Sequence, residues 1–295
     1  MNYGKKSTAK KRTALISRSS MMGKRARVSF IRVLFVSLIA LCIAVTCLGV
    51  GSFRGVIDTA PDVDDIDIMP LGYATFLYDD AGNQIRKLAA PDSNRLPVTL
   101  DQIPVDLQHA VVAIEDERFY EHNGIDVKGI LRAGMKALTT GDFSEGASTI
   151  TQQLARNIFL GYEKTYSRKI KEMFIAVALE QKYTKQEILE FYLNNVYFAN
   201  GYYGIESASE AYFNKNAKDL SISQIAFLCS IPNSPNRYDP YKHKDSTLKR
   251  RDRILKNMYE DGYISESQYE KSVAEKITIM PKKETTTNDY AETYI

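Results

Sequence analysis

The sequence predicts a mainly α-helical domain behind an N-terminal transmembrane helix, with one short β-hairpin between the two. Three observations carry this. Eighteen residues from Val33 to Val50 (VLFVSLIALCIAVTCLGV) hold no charge, just enough for a helix to cross the hydrocarbon core of a bilayer. Two β-prone runs in ATFLYDDAGNQIRKL flank Asp80-Ala81-Gly82-Asn83, which reads as a hairpin turn. From Pro104 onward the apolar residues recur mainly at helical spacing.

At the N-terminus, ten Lys and Arg lie between Lys5 and Arg32, and the first acidic residue is Asp58. The formal net charge of +3 therefore hides an asymmetry: without that tail, 29 basic residues face 36 acidic ones. A net acidic body is no general binder of polyanions, and nucleic acid is excluded as a partner. The basic flank, against a lone Arg54 beyond the apolar run, places the N-terminus in the cytoplasm and the rest outside. A cleaved signal peptide is the alternative, but the basic lead is long and no clear small-x-small cleavage site follows. Cys42 and Cys47 fall in the apolar run and Cys229 in a helical stretch, so no disulfide or metal framework is expected. The expected boundaries are a basic tail at 1–32, an anchor at 33–52, a linker at 53–71, a folded domain at 72–275 and a C-terminal linker at 276–295. With 44% hydrophobic residues over 295, the chain has material for one large core or two modest ones.

The domain is organised around VVAIEDERFYEHNG, from Val111 to Gly124. An apolar helical pattern (Leu107, Val111, Ile114) ends in the carboxylate of Glu115, with Pro104 suited to the first turn and Asn123-Gly124 to a turn beyond. Carbonyls at a helix C-terminus disfavour added negative charge, and apolar neighbours act in the same direction. That environment prepares a glutamate to carry a proton. A solvated Glu-Asp-Glu helix end is the alternative.

In VKGILRAGMKAL, Lys128, Arg132 and Lys136 share one helical face, while Val127, Ile130, Leu131 and Leu138 lie elsewhere on the turn. Such a helix can rest on anionic lipid, or simply be a solvated face. GASTITQQLARNIFL (Gly146 to Leu160) offers Ser148 as a cap, with Thr151, Gln152, Gln153 and Arg156 interleaved among apolar residues. In YSRKIKEMFIAVALEQK, the first helical turn holds Arg168 and Lys169, with Glu172 three and four positions on. These cations either pair with Glu172 or, with free backbone amides and Lys164 upstream, bind an anion such as a phosphate. Thr184 with Glu187 and Ser221 with Gln224 fit the capping-box pattern, and a last helix is expected after Ser265.

EDERFYEHNG, GASTITQQLARN, RKIKEMFIAVALE and KQEILEFYLNNVYFANGYYGIESASEAYF resemble, in order and spacing, the motifs of the peptidoglycan glycosyltransferase (transglycosylase) domain. That domain occurs in class A penicillin-binding proteins and in monofunctional peptidoglycan polymerases. The resemblance covers roughly Gly72 to Ser272, and four ordered motifs are far more specific than one. It implies a lysozyme-like fold with a large lobe and a smaller membrane-facing jaw. It implies an inverting reaction that joins lipid II into β-1,4 glycan strands and releases undecaprenyl pyrophosphate. By the same resemblance Glu115 is the catalytic base, Glu172 the second catalytic glutamate, and Gln153, Arg156, Lys164, Arg168 and Lys169 bind substrate. A divalent cation, Mg or Mn, can assist the donor pyrophosphate in this family.

Two other readings stay open. A lysozyme-like murein hydrolase or lytic enzyme also uses paired carboxylates, but has no need of the Lys164, Arg168, Lys169 cluster. A non-catalytic cell-wall-binding module has no need of both glutamates. Ser7-Thr8-Ala9-Lys10 and Ser246-Thr247-Leu248-Lys249 fit the S-x-x-K pattern of a transpeptidase, yet no K-T-G occurs in the chain, so both read as chance. The ending NDYAETYI reads as a linker running on, and the chain is expected to be a fragment of a bifunctional penicillin-binding protein, with a monofunctional enzyme as the alternative.

Overall fold

The computed structural model describes scattered positions between residues 35 and 61, then residues 75–88, 95–141, 146–160 and 165–282. The chain divides into two compact units, Met1–Thr59 and Ala60–Ile295. In the first, the positions described between 35 and 55 are helical, and Phe35, Val36, Leu38, Leu41 and Ile43 are exposed. Among the described residues no helix is long and apolar enough to cross a membrane. The basic tail and much of the anchor expected at 33–52 lie outside the described residues, as does the chain's end beyond 282.

The second unit opens with the expected hairpin. Strands β1 (Thr75–Tyr78) and β2 (Gln84–Leu88) pair antiparallel, from Thr75 opposite Leu88 to Tyr78 opposite Gln84. Asp79 closes the turn by accepting from the N–H groups of Ala81 (3.0 Å) and Asn83 (2.7 Å), while Gly82 takes φ +79°. The hairpin aside, the described part of the unit is helical.

Helix α1 (Val105–Glu115) buries Leu107, Ala110, Val111, Val112 and Ala113. Pro104 stands at the N-cap, one position before the first turn expected for it, because its ψ of 140° is extended. Helix α2 (Val127–Thr140) is capped by Asp126, which accepts from the Gly129 N–H at 2.9 Å, and ends at Gly141 with φ +70°. Helix α3 (Ile150–Ala155) is capped by Thr149, not by the expected Ser148. Thr149 Oγ1 accepts from the Gln152 N–H (3.1 Å), and the Gln152 side chain returns to the Thr149 N–H (3.2 Å). The helix expected through Leu160 also changes pitch, since Arg156–Leu160 is a π turn.

Helices α4 (Tyr166–Lys182), α5 (Lys185–Asn195), α6 (Ile205–Phe213), α7 (Ile222–Cys229), α8 (Lys244–Glu260) and α9 (Glu266–Ala274) complete the unit. The capping boxes expected at Thr184 and Ser221 form, the last helix starts after Ser265 as expected, and Ser265 makes a third box with Gln268. Helix α1 packs on α7 and α8, and α3 on α4 and α5. One core joins them, with Leu107, Leu154, Leu179, Tyr192, Phe227 and Ile254 fully inside. The end of α1 and the whole of α3 are thus fixed in the rigid part of the molecule.

Candidate active site

Glu115 is the last residue of α1, and Asp116 leaves the helix with φ −162° and ψ 72°. This change of direction sends two consecutive carboxylates to different partners. Asp116 is buried, accepts from the Ile150 N–H at the start of α3 (3.0 Å), and meets His122 Nε2 at 2.9 Å. Glu115 meets Gln153 of the same helix, whose Nε2 donates to its Oε2 at 2.8 Å. Consecutive carboxylates therefore grip one helix at both ends of a single turn. Oε1 of Glu115 is buried without a hydrogen-bond partner, and the nearest cation is Arg250, with Nη2 at 3.7 Å.

Gln153 is also held from behind. The hydroxyl of Tyr192, on α5 and 1% exposed, donates to Gln153 Oε1 at 3.3 Å. Burial, and next the negative charge of Glu115, push the Tyr192 phenol well above its ordinary range, so it stays protonated and able to donate. The same two causes push up the thiol of Cys229, which lines the core at the end of α7.

The second carboxylate, Glu172, lies on α4 and is 1% exposed. Arg168 Nη1 donates to its Oε2 at 2.5 Å and Lys169 Nζ to its Oε1. Lys169 also donates to Ser148 Oγ (2.8 Å) and Gln152 Oε1 (3.3 Å). Adjacent glutamines of α3 thus serve two places, Gln152 the cation cluster and Gln153 the carboxylate of Glu115. The anion reading left the backbone amides of α4 free, but the Arg168 N–H is taken by the cap Thr165 Oγ1 at 3.1 Å. The charged side chains, not that amide, are what this end offers an anion. Arg156, on the π turn, keeps a buried Nε without a partner and adds a charge beside Tyr192. Lys164 lies outside the described residues.

The model of the family described as Transglycosylase matches residues 81–259, more than half of the chain. The chain belongs to the transglycosylase family. It is 40% identical over 240 residues to penicillin-binding protein 4 of Bacillus subtilis, covering 81% of this chain and 38% of that protein. It is 48% identical over 189 residues to penicillin-binding protein 1F of the same organism, covering 64% of this chain and 26% of that one. Against the crystal structure of penicillin-binding protein 1A from Haemophilus influenzae the TM-score is 0.44 at 22% identity, over 73% of this chain and 22% of that chain. The transglycosylase chain thus spans well under half the length of the curated relatives it matches.

Within the transglycosylase domain, reading the sequence missed Arg250, Tyr192 and the pair Asp116 and His122. Arg250 sits in KRRDR, a run that suggests a solvated face. Helical spacing held the signal: Arg250 and Asn257 share a stripe with Ile254, which is fully buried. Arg250 accordingly lies over the ring of Tyr238, its side chain 10% exposed, and Asn257 donates to the Ala113 carbonyl of α1 at 3.3 Å.

Proposed function

We propose that this chain is a membrane-anchored peptidoglycan glycosyltransferase that polymerises lipid II and releases undecaprenyl pyrophosphate. The observation that carries the reading is Glu115, a carboxylate only 8% exposed, with one oxygen tied to Gln153 and the other without a hydrogen bond 3.7 Å from Arg250 Nη2, in a chain of this family. Ionised Glu115 takes the proton of the acceptor sugar's 4-hydroxyl. The freed oxygen attacks the anomeric carbon of the donor, and the bond from that carbon to the pyrophosphate breaks with its electron pair. Attack opposite an α-linked leaving group yields a β-1,4 link. Arg168 and Lys169, with Lys164 and Arg156, meet the charge that develops on the leaving group. Glu172 holds the first two in place.

A divalent cation at this position finds few protein ligands. Both oxygens of Glu172 are engaged by cations, and among the described residues no group of three or more His, Cys, Asp or Glu could hold a metal ion. An Mg or Mn ion here would be held by the pyrophosphate oxygens, and none of the steps above is routed through it.

The substrate's lipid requires a membrane surface. Helix α2 supports one, with Val127, Leu131, Met135 and Leu138 at 62%, 62%, 67% and 89% exposed. The lysozyme-like, two-lobed arrangement and membership of a longer bifunctional protein belong to the same reading. Incubating the purified chain with lipid II in detergent or vesicles tests it. Long glycan strands with stoichiometric undecaprenyl pyrophosphate are expected. Soluble fragments from preformed peptidoglycan, with lipid II untouched, would establish the hydrolase instead.

A further inference from the structure

Which oxygen of Glu115 accepts the proton is a question the surroundings of Gln153 answer. A side-chain amide has a donor end and an acceptor end, and rotation by half a turn exchanges them. With Nε2 toward Glu115, the amide donates to Oε2 at 2.8 Å and leaves Oε1 without a hydrogen bond, 3.7 Å from Arg250 Nη2. With the ends exchanged, an amide oxygen would face a carboxylate oxygen and both would repel. Glu115 enforces the first orientation only while it is ionised. Once it has taken a proton it can itself donate, and that constraint is gone.

Tyr192 holds the other end of the amide: a hydroxyl can donate or accept, so Glu115 chooses the orientation and Tyr192 pins the side chain in it. Its hydroxyl, buried on α5, donates to Gln153 Oε1 at 3.3 Å. We propose that Tyr192 is a positioning residue that pins the Gln153 amide in the orientation Glu115 imposes, and that it thereby keeps Oε2 of Glu115 occupied and leaves Oε1, 3.7 Å from Arg250 Nη2, as the proton-accepting atom. Tyr192 touches neither the reacting atoms nor Glu115 through any hydrogen bond in the structure and acts through Gln153. The inference rests on the glycosyltransferase reading above for its catalytic consequence, while the orientation itself does not depend on it.

The test is a double-mutant cycle on the full chain with lipid II, using Tyr192→Phe, Gln153→Ala and the double variant. Phenylalanine keeps every carbon of the side chain and removes only the donor. Tyr192→Phe is expected to lower kcat by about fivefold to tenfold with KM changed by less than about twofold, the pattern of an interaction that matters at the transition state. Added to Gln153→Ala, it is expected to change kcat by less than about twofold, because residues acting through one partner are not additive. Multiplicative losses, or an unchanged kcat in Tyr192→Phe, overturn the proposal. Should Tyr192→Phe melt far below wild type, the cycle is repeated with Tyr192→Met under the same criterion. Hydrogen exchange of the Gln153 side-chain amide, followed by NMR, tests the pinning without any turnover. Exchange about tenfold faster or more in Tyr192→Phe supports it, since an amide no longer held at Oε1 opens its Nε2 hydrogen bond to Glu115 more often, and unchanged exchange overturns it. A wild-type chain that fails to use lipid II while passing the exchange test would refute the glycosyltransferase reading and leave the positioning role standing.

Discussion

Glu115 and Glu172 are both carboxylates on helices of one domain, and their side chains are 8% and 1% exposed. Their surroundings differ in kind. Glu172 has a cation on each oxygen, Arg168 on one and Lys169 on the other. Glu115 has a neutral amide on one oxygen, while the other makes no hydrogen bond and stands 3.7 Å from Arg250 Nη2. A carboxylate with both oxygens bonded by cations is occupied in holding those cations. One with an oxygen free of hydrogen bonds keeps a place for a substrate's hydroxyl. On the proposed function, the two glutamates that the resemblance pairs as catalytic do different work: Glu115 moves a proton and Glu172 positions charge.

The largest expected effect breaks the comparison on the Glu115 side. Glu115→Gln keeps the size and the acceptor for Gln153 but removes the base, so kcat with lipid II is expected to fall by about 1,000-fold, with the melting temperature unchanged. Near wild-type turnover in that variant would show that another group is the base. Arg168→Ala acts on the other side and is expected to cost turnover about 100-fold, as loss of one preorganised donor does. Because Glu172 is buried, removing one of its two partners is also expected to cost stability, about 1–3 kcal/mol, less than for a buried charge left wholly unpaired. Turnover that recovers fully once the variant is cooled below its own melting transition would reduce Arg168 to a structural role.

How far the sequence discloses these differences depends on the range of the interactions. Helix starts are local, and the capping boxes at Thr184, Ser221 and Ser265 are legible from four residues each. The hairpin is legible for the same reason. The cap of α3 was misplaced by one residue because Ser148 and Thr149 are chemically equivalent. What decides between them is Lys169, 21 positions on, which binds Ser148 Oγ. Glu115 and its cationic counterparts could be named from their motifs, but Arg250 lies more than a hundred residues from the carboxylate it faces, and only packing brings them together. Helix α2 shows a further limit. Its pattern reads as one apolar and one basic face, and an apolar face ordinarily packs inward. Here the inward contact is Gly129, where an added Cβ would meet the Asp126 carboxylate and Arg118, while the large apolar residues face out.

That outward face gives the next prediction, an effect on location rather than on chemistry. Leu131→Ser combined with Leu138→Ser should weaken sedimentation of the 60–295 unit with anionic vesicles by about tenfold, the equivalent of losing one to two buried methylene-rich side chains. Both residues are exposed, so the melting temperature should not change. Turnover measured in detergent should hold as well, which separates delivery to the membrane from the work of Glu115 and Glu172. Unchanged sedimentation would remove α2 from the membrane contact.

The smallest effect comes from a third glutamate that lies outside both arrangements. Glu206, at the start of α6, accepts from the Ala217 N–H at 2.8 Å and makes no salt bridge among the described residues. Burial first, and then the charges of Glu210 and Asp219, push its carboxyl above the usual range, against the pull of the Ala217 amide and Lys218. The sign of the linkage follows. The folded state holds this proton more tightly than the unfolded chain, so the contribution to stability is fully present below the unfolded value and is lost as pH rises through the folded one. Glu206→Gln keeps an oxygen for the Ala217 N–H and removes the charge. It should therefore raise the melting temperature at pH 7 slightly, by about 1 °C for a domain of this size. The gain should vanish in acid, once wild-type Glu206 is protonated too. A gain that persists unchanged at low pH would mean that packing, not charge, sets the effect. A loss at pH 7 would mean that the ionised oxygen is a better partner for the Ala217 amide than burial makes it costly, and that this half-buried glutamate is held by its hydrogen bond.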